Sequence, residues 1–350
     1  LTPEEPFEID DFMVSKSHSR VVYAVNEHGY MRVKCLDLGS GYITTPLLPD
    51  SADIVTPRDS SEDGVRSVLN IRWSDRPSTN VIYDWQAHTM TPLMIQSMPE
   101  IDIASIAKPR LITIAMRDGS VVPAFVREPI TQTDNGSAPY SVIVSFHGGP
   151  EEQSLSGYDT QCQLFVASGY VVIEPNVRGS SGYGKAYLDA DNGRRRLEVI
   201  TDIEDVARYA RATYTKNGQA PRVGVFGGSY GGYSTLLAMT KFAGAYDTGV
   251  SLVGISNLIT FLNNTAPYRQ ALRFSEYGHP EKDREALIEL SPSTYVDRIT
   301  DPLLIIQGAT DPRVPAGEAI AMYEAVLRRK VPTELIIFPD EGHGMRKRTN

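Results

Sequence analysis

Cysteine is scarce in this sequence, and long apolar runs are missing from it. The 350 residues include two cysteines, Cys35 and Cys162, which lie far apart and lack the spacing of a metal site. We therefore expect ordinary buried thiols in a reducing compartment, with no disulfide framework. No stretch approaches the roughly 18 consecutive apolar residues that a membrane-spanning helix needs, and no basic amphipathic run indicates a surface anchor. These features favour a soluble protein without a membrane partner.

An excess of positive charge is also lacking. The chain has 34 Lys and Arg against 43 Asp and Glu, which gives a net charge of −9 at pH 7. Binding to a phosphate backbone requires clustered cations, so no nucleic-acid partner is expected. The chain begins with Leu1 rather than Met, so we expect its true N-terminus to be absent. The expected location is the cytoplasm.

The composition, 41% hydrophobic and 22% charged, is that of a globular protein. The length corresponds to about two domains. In the first third, short β-rich runs alternate with turn residues. Strands are predicted at 20–25, 30–38, 67–73, 80–85 and 91–95. Hairpin-sized groups with a Trp or Tyr in each are typical of β-propeller blades, and a small β-sandwich is the alternative.

After Pro109 the pattern changes to strands that alternate with helices. Strands are predicted at 111–116, 121–128, 141–146, 170–175, 222–226, 249–254, 302–307 and 334–338, and helices at 201–214, 232–241 and 316–329. Asp118-Gly119 is a predicted hairpin turn, and several later strands are short, continuous apolar runs of the kind buried on both faces of a parallel sheet. The second part is therefore predicted to be an α/β domain with a mostly parallel sheet.

The sequence Gly227-Gly228-Ser229-Tyr230-Gly231 has the spacing G-x-S-x-G directly between a predicted strand and a predicted helix. In that setting the pattern predicts a nucleophile elbow, a tight turn that raises the serine oxygen above the sheet. The strained backbone explains the glycines, which remove side chains that would clash. One alternative is that glycines merely let a helix pack close to a strand. A dinucleotide site is another, but the full G-x-G-x-x-G pattern is missing.

A serine nucleophile needs a general base, and the chain has six histidines. His343 lies just past the last predicted strand, where the hydrolase order Ser, Asp or Glu, then His puts the base. Asp311 follows the preceding predicted strand and is the predicted orienting acid, with an Asx-type turn before Pro312 as its structural alternative. Asp340 and Glu341 are closer in sequence, but a carboxylate on the same tight turn is a poor partner for the far ring nitrogen.

The tetrahedral intermediate of acyl transfer needs hydrogen-bond donors for its oxyanion. The backbone N–H of Tyr230, at the start of the predicted helix, is one candidate. The turn His147-Gly148-Gly149-Pro150 follows another predicted strand, and Gly149 is the predicted second donor, although such turns are also common as plain loops. This chemistry requires no metal and no organic cofactor.

In this order, the blocks 146–150, 176–184, 227–233, 311–315 and 341–344 resemble the prolyl oligopeptidase family of serine peptidases, most closely its acylaminoacyl-peptidase-like branch. The resemblance implies an α/β-hydrolase fold with Ser229, Asp311 and His343 as the catalytic triad. It also implies that the Tyr230 and Gly149 amides bind the oxyanion.

Another residue role comes from the resemblance alone. Arg313 occupies the position, two residues after the acid, at which relatives bind a substrate carbonyl. The alternative is a surface charge that pairs with nearby carboxylates.

The resemblance also implies the domain organisation. Residues 1–105 are expected to be the C-terminal blades of a partial β-propeller, and residues 106–350 the α/β-hydrolase peptidase domain. Relatives continue into a last helix after the histidine block, so we expect a fragment, truncated at both ends and without that helix.

The predicted function is hydrolysis of short peptides by a Ser-His-Asp acyl-enzyme mechanism. A carboxylesterase on the same fold is the alternative, because a fold does not fix a substrate. A hydrolase fold that only binds its ligand is a third possibility, which a complete triad disfavours.

Overall fold

The computed structural model describes residues 2, 4–49, 52–93, 105–130, 140–347 and 349–350. Within these residues the strands form two sheets of eight strands each, and no strand is shared between them. The predicted strand 91–95 extends beyond the described residues at positions 94 and 95.

The first sheet consists of two antiparallel meanders of four strands. They are β1 (Glu8–Val14), β2 (Arg20–Glu27), β3 (Tyr30–Asp37) and β4 (Ile43–Thr44), then β5 (Ile54–Ser60), β6 (Arg66–Arg72), β7 (Thr79–Asp84) and β8 (Thr89–Pro92). A parallel pairing of Met31 with Ile54 joins β3 to β5. Along β6, buried and partly exposed residues alternate, as expected of a strand with one face toward a core.

The turn between β2 and β3 is shorter than the predicted loop 26–29. Only His28 and Gly29 lie outside the two strands, and both have positive φ angles, 58° and 92°. Two consecutive positive φ values are what a type I′ hairpin turn requires. The strand β2 therefore continues two residues further than the sequence pattern indicated.

The second sheet has the order β16-β15-β14-β13-β11-β12-β10-β9. Its strands are β9 (Arg110–Ala115), β10 (Val121–Arg127), β11 (Val142–Phe146), β12 (Val171–Pro175), β13 (Val223–Gly228), β14 (Thr248–Leu252), β15 (Leu303–Gly308) and β16 (Thr333–Phe338). Six strands, β11 to β16, are parallel, and β10 is antiparallel to both of its neighbours. The mostly parallel sheet and the hairpin at Asp118-Gly119 are confirmed, and the fold is the α/β-hydrolase fold.

Helices cover both faces of the second sheet. They are α1 (Thr160–Ala167), α2 (Lys185–Leu188), α3 (Arg196–Val199), α4 (Asp202–Tyr214), α5 (Tyr230–Met239), α6 (Leu258–Asn264), α7 (Pro267–Tyr277), α8 (Arg284–Glu289) and α9 (Ala316–Arg328). In β12, Val171 and Ile173 pack into the large cluster that contains α4 and α5, whereas Val172 packs on Cys162 and Val166 of α1. Burial on both faces explains why β12 is apolar without alternation.

The sequence patterns missed some elements for local reasons. The strand β5 contains Pro57, which argues against a strand, and its pairing with β6 is irregular next to that proline. In α1 the buried residues are Cys162 and Val166, but Leu164 is exposed, so the apolar positions do not follow one helical face. The strand β1 was also not predicted.

The segment after the Gly-Gly-Pro turn contacts the first sheet. The Tyr158 N–H donates to the Trp73 carbonyl over 2.7 Å, and the Ser156 N–H donates to the Gly29 carbonyl over 3.1 Å. A Cβ on Gly157 would lie 3.1 Å from atoms of both Arg72 and Ile54. The two sheets are therefore joined close to one end of β11.

Candidate active site

Ser229 lies between the end of β13 and the start of α5, with φ 59° and ψ −115°. Such sparsely populated backbone angles cost about 1–3 kcal/mol and persist only where the surroundings enforce them. The Ser229 N–H donates to the Leu252 carbonyl over 2.9 Å, which ties the turn to β14.

The glycines of this turn are required by close backbone approach. A Cβ on Gly227 would lie 2.4 Å from the carbonyl atoms of Gly231, and a Cβ on Gly231 would lie 2.1 Å from the Phe146 oxygen. No larger residue fits at either position without a shift of backbone. The local sequence therefore produces the strained turn that the G-x-S-x-G pattern predicts.

The structure brings Ser229, His343 and Asp311 together. The Ser229 Oγ is 2.9 Å from His343 Nε2, and His343 Nδ1 is 2.7 Å from Asp311 Oδ2. The Asp311 side chain is fully buried, and His343 is mostly buried. A proton on Nδ1 allows the imidazole to donate to the carboxylate and to accept from the serine hydroxyl. These residues follow β13, β15 and β16, whose carboxyl ends meet at one edge of the sheet.

Asp311 is held by its own loop. Its Oδ1 accepts hydrogen bonds from the N–H groups of Arg313 at 2.8 Å and Val314 at 3.0 Å, while Oδ2 faces the histidine. The carboxylate thus forms the Asx-type turn that was the structural alternative, and it also contacts His343. The two interpretations are compatible because each uses a different oxygen.

The loops that carry Asp311 and His343 are packed backbone against backbone. A Cβ on Gly308 would lie 2.1 Å from the Gly342 oxygen, and the Thr310 N–H donates to the Glu341 carbonyl over 3.0 Å. The Glu341 carboxylate points elsewhere, because Oε1 accepts from the Lys347 N–H at 2.8 Å. This hydrogen bond is the main reason that the pKa of Glu341 is lowered.

The Gly-Gly-Pro turn lies beside the serine. Phe146 pairs with Gly227 across β11 and β13, so the turn begins next to the elbow. A Cβ on Gly148 would be 3.8 Å from the Ser229 Cβ, and Gly149 has a φ of 117°. The structure therefore places Gly149 and the Tyr230 amide on two segments that adjoin Ser229.

His147 has a different position from the base. Its Nε2 is 2.8 Å from Ser180 Oγ and its Nδ1 is 2.6 Å from the Gly148 oxygen. Burial lowers the pKa of His147, which favours a neutral imidazole. This side chain links the Gly-Gly-Pro turn to the loop around Ser180.

A cavity of about 330 Å³ opens on Ser229 and His343. The turn after Gly148 forms one wall, α7 forms another, and Arg313 also lines it. A larger groove of about 730 Å³ lies near Arg208 on α4 and contains none of the predicted site residues. The smaller cavity is therefore the one that matches the predicted chemistry.

The wall formed by α7 was not found from the sequence. Arg273 and Glu276 form an ion pair there, with side chains 13% and 8% exposed. Burial raises the pKa of Glu276, and the charge of Arg273 opposes that rise. Two signals could have revealed the helix: Pro267 in its first turn, and oppositely charged residues three positions apart.

The described residues offer neither a cluster of metal ligands nor a membrane-spanning helix. There, no group of three His, Cys, Asp or Glu side chains is placed to hold a metal ion. The helices of that part of the chain are all too short or too polar to cross a membrane.

The prolyl oligopeptidase family matches residues 156–350 of the chain. Dipeptidyl aminopeptidase BIII of Pseudoxanthomonas mexicana is 33% identical over 288 residues, which cover 79% of this chain and 41% of that protein. The acylamino-acid-releasing enzyme of Mus musculus is 22% identical over 228 residues, which cover 63% of this chain and 31% of that protein. A crystal structure of puromycin hydrolase superposes with a TM-score of 0.86 at 23% identity, over 96% of this chain and 50% of that one. The chain thus spans half or less of the length of each of these proteins.

Proposed function

Because the chain belongs to the prolyl oligopeptidase family, we propose that it is a serine peptidase that hydrolyses short peptides through an acyl-enzyme intermediate. The observation that carries the proposal is the hydrogen-bonded series from Ser229 Oγ through His343 to the buried Asp311, with distances of 2.9 and 2.7 Å. An activated serine beside a cavity is what acyl transfer needs.

In the proposed reaction, His343 Nε2 takes the hydroxyl proton as Ser229 Oγ bonds to the peptide carbonyl carbon. The carbonyl oxygen becomes an oxyanion that accepts hydrogen bonds from the Tyr230 and Gly149 amides. His343 then gives its proton to the leaving amine as the C–N bond breaks. Water repeats the sequence on the acyl-serine, and Asp311 holds the imidazole orientation in both halves.

Arg313 is proposed to bind a substrate carbonyl at the cavity. Its backbone N–H is fixed by Asp311 Oδ1 at 2.8 Å, and its side chain lines the cavity with Ser229. Among the described residues, no carboxylate lies within ion-pair distance of the Arg313 guanidinium, so the alternative of a surface ion pair gains no support there.

We also propose that residues 1–105 are blades of a β-propeller and that residues 106–350 are the catalytic domain. Two successive four-stranded antiparallel meanders, β1–β4 and β5–β8, support this because a propeller blade is a four-stranded antiparallel sheet. The contact of Tyr158 with Trp73 fits a propeller that faces the catalytic edge of the second sheet.

The first test is the intact mass of the folded chain after exposure to a fluorophosphonate probe, beside Ser229→Ala as control. One adduct on the wild type and none on the variant is the expected result. An unlabelled chain whose circular dichroism shows it to be folded would contradict the proposal, because the probe reacts with an assembled triad and its oxyanion donors whatever peptide the enzyme prefers.

The second test separates substrate classes. Hydrolysis of an N-acetylated peptide anilide, a dipeptide anilide with a free amine, and a simple carboxylic ester should be compared at equal concentration. Either anilide turned over faster than the ester supports a peptidase. Turnover of the ester alone would favour a carboxylesterase.

A further inference from the structure

An ion pair that the proposed chemistry does not use lies behind the cavity. Arg196 of α3 and Asp191 of the 3-10 turn Asp189–Asp191 both have side chains that are 0% exposed. The Arg196 Nε and Nη2 donate to Asp191 Oδ2 over 3.1 and 2.9 Å. Gly179, with φ 107°, makes room for the carboxylate, since a Cβ there would lie 2.4 Å from Asp191 Cγ.

This pair contacts the residue that follows the nucleophile. The Tyr230 hydroxyl donates to the same Asp191 Oδ2 over 3.0 Å. The centre of the Tyr230 ring lies 5.4 Å from the Arg196 guanidinium carbon. Tyr230 is the first residue of α5, and its amide is the proposed oxyanion donor. The ion pair therefore fixes the hydroxyl end of the Tyr230 side chain, and the Tyr230 backbone lies next to the reacting atoms.

The same pair contacts the cavity wall. Arg196 Nη2 donates to the Glu276 carbonyl over 3.3 Å, and the guanidinium carbon lies 4.4 Å from the centre of the Tyr277 ring. Glu276 also pairs with Arg273, which lines the cavity. One buried arginine thus joins the end of α7 to the start of α5.

Stability alone gives no reason for such a pair. Removing two charges from water is costly, and apolar residues of similar volume are often as stable as a buried ion pair or more so. Here Asp191 Oδ1 and Arg196 Nη1 are buried without a hydrogen-bond partner among the described residues, which adds to the cost. The contacts with Tyr230 and with α7 supply another reason for the pair.

We propose that Asp191 and Arg196 are positioning residues that hold the Tyr230 amide in line with the oxyanion and fix the α7 wall beside it. The inference rests on the proposed function. An oxyanion donor must lie at hydrogen-bond distance from a position that the oxygen reaches only in the transition state, so small displacements lower the rate constant of the chemical step. The pair should therefore affect kcat more than KM.

Two variants test the proposal. Tyr230→Phe keeps the aromatic ring and the backbone amide but removes the hydrogen bond from the hydroxyl to Asp191. We expect kcat to fall about 3- to 10-fold and KM to stay within about twofold of the wild-type value. The double variant Asp191→Leu with Arg196→Met removes both charges, and we expect kcat to fall about tenfold or more. We also expect a lower Tm, because the buried Tyr230 hydroxyl and Glu276 carbonyl lose their hydrogen-bond partner.

The first readouts are kcat and KM on the anilide substrate that is hydrolysed fastest, with kcat calculated per serine titrated by the fluorophosphonate. The second readout is the second-order rate constant of fluorophosphonate labelling. Because the phosphoryl oxygen of the probe occupies the oxyanion position, that labelling rate should fall with kcat. Arg196→Lys, which keeps the charge but loses the planar fork, should give intermediate values.

A matched control uses Arg211 of α4 and Asp247, an ion pair 3.0 Å apart. Asp247 directly precedes β14 and accepts from the Val223 N–H at the start of β13, so the pair lies at the sheet edge opposite Ser229. The variant Arg211→Met with Asp247→Leu should lower Tm and leave kcat per titrated serine unchanged. A purely structural role for Asp191 and Arg196 would give this same result.

The inference is overturned if Tyr230→Phe and the double variant both keep wild-type kcat, KM and labelling rate. If the double variant fails to fold, Tyr230→Phe alone decides, since it leaves the ion pair intact. A folded wild type that neither labels nor hydrolyses any substrate refutes the proposed function instead, so the two failures are distinct.

Discussion

The two sheets have equal numbers of described strands but differ in strand direction, and this difference decides which of them can assemble a triad. In the first sheet the strands alternate, so successive turns fall on opposite edges. In the second sheet the parallel strands β13, β15 and β16 all end at one edge. Ser229 and His343 are 114 positions apart in sequence, yet their side chains lie 2.9 Å apart.

The two regions can also be compared by the space around particular glycines. In the first sheet, Gly41 has φ 73° and an added Cβ would meet no atom within 4 Å. At the catalytic edge, Gly227, Gly231 and Gly308 approach other backbone so closely that no Cβ fits. The Gly41 turn therefore needs only a permissive backbone, whereas these three positions at the catalytic edge also need empty space.

The largest expected effect comes from removing the nucleophile or its base. Ser229→Ala and His343→Ala should each lower kcat by about 10⁴- to 10⁶-fold, because triad members act as a unit. His88→Ala, in a hairpin of the first sheet, is the matched histidine control and should leave kcat unchanged. A His343→Ala variant with more than a tenth of wild-type kcat would mean that another group is the base.

A smaller loss is expected from the acid. Asp311→Asn keeps the hydrogen bonds from the Arg313 and Val314 N–H groups but presents a neutral group to His343, so kcat should fall about 10³- to 10⁴-fold. Thermal unfolding should shift by only a few degrees, because the turn survives. A parallel loss of Tm and activity would instead indicate that the carboxylate acts mainly on the loop.

Glycine-to-alanine substitutions test the difference between these turns through the free energy of unfolding. Gly231→Ala should destabilise the fold by about 3 kcal/mol or more, since its Cβ would lie 2.1 Å from the Phe146 oxygen. Gly41→Ala, which has free space but a φ of 73°, should cost about 1 kcal/mol. Urea unfolding of both variants measures the difference, and equal losses would contradict the close approach at the elbow.

The last prediction compares a thiol of the first sheet with a thiol of a helix that covers the second sheet. Burial raises the pKa of Cys35, in β3, to about 11 and that of Cys162, in α1, to about 12. Because the thiolate is the reactive form, iodoacetamide at pH 8 should alkylate both at least about 100-fold more slowly than in the unfolded chain, and faster as the pH rises.

Increasing urea then tests whether the sheets open together. Mass spectrometry of each cysteine-containing peptide gives two protection curves. A single shared midpoint indicates one cooperative unit, whereas protection of Cys35 lost first indicates that the first sheet opens separately. Rapid alkylation of either thiol in the native chain would contradict the described burial.

Sequence patterns were most informative where chemistry imposes residue type. The G-x-S-x-G turn, the two later loops and the parallel strands that precede them all follow from spacing and apolar runs. The helical face of α4 was predicted from Ile203, Val206, Ala207 and Ala210, which are all buried. The family resemblance extended this to the fold that the second sheet adopts.

What the patterns missed depends on contacts between distant segments. Asp191 lies in a 3-10 turn and Arg196 in a four-residue helix, and neither segment is long enough to show a sequence pattern. Their role follows only from their contacts with Tyr230 and α7. The strand β5 contains a proline and two charged residues, and it is a strand because β6 pairs with it. Local propensity does not contain information of this kind.

The close backbone contacts at the catalytic edge have a consequence for how this protein can change over generations. The positions of Ser229, Asp311 and His343 are set by contacts of Gly231 with Phe146 and of Gly308 with Gly342, which tolerate no added atom. Mutations there are lost before selection can act on activity. New substrate preferences are therefore expected to arise on α7, where exposed side chains such as Leu272 line the cavity and can be exchanged without moving the triad.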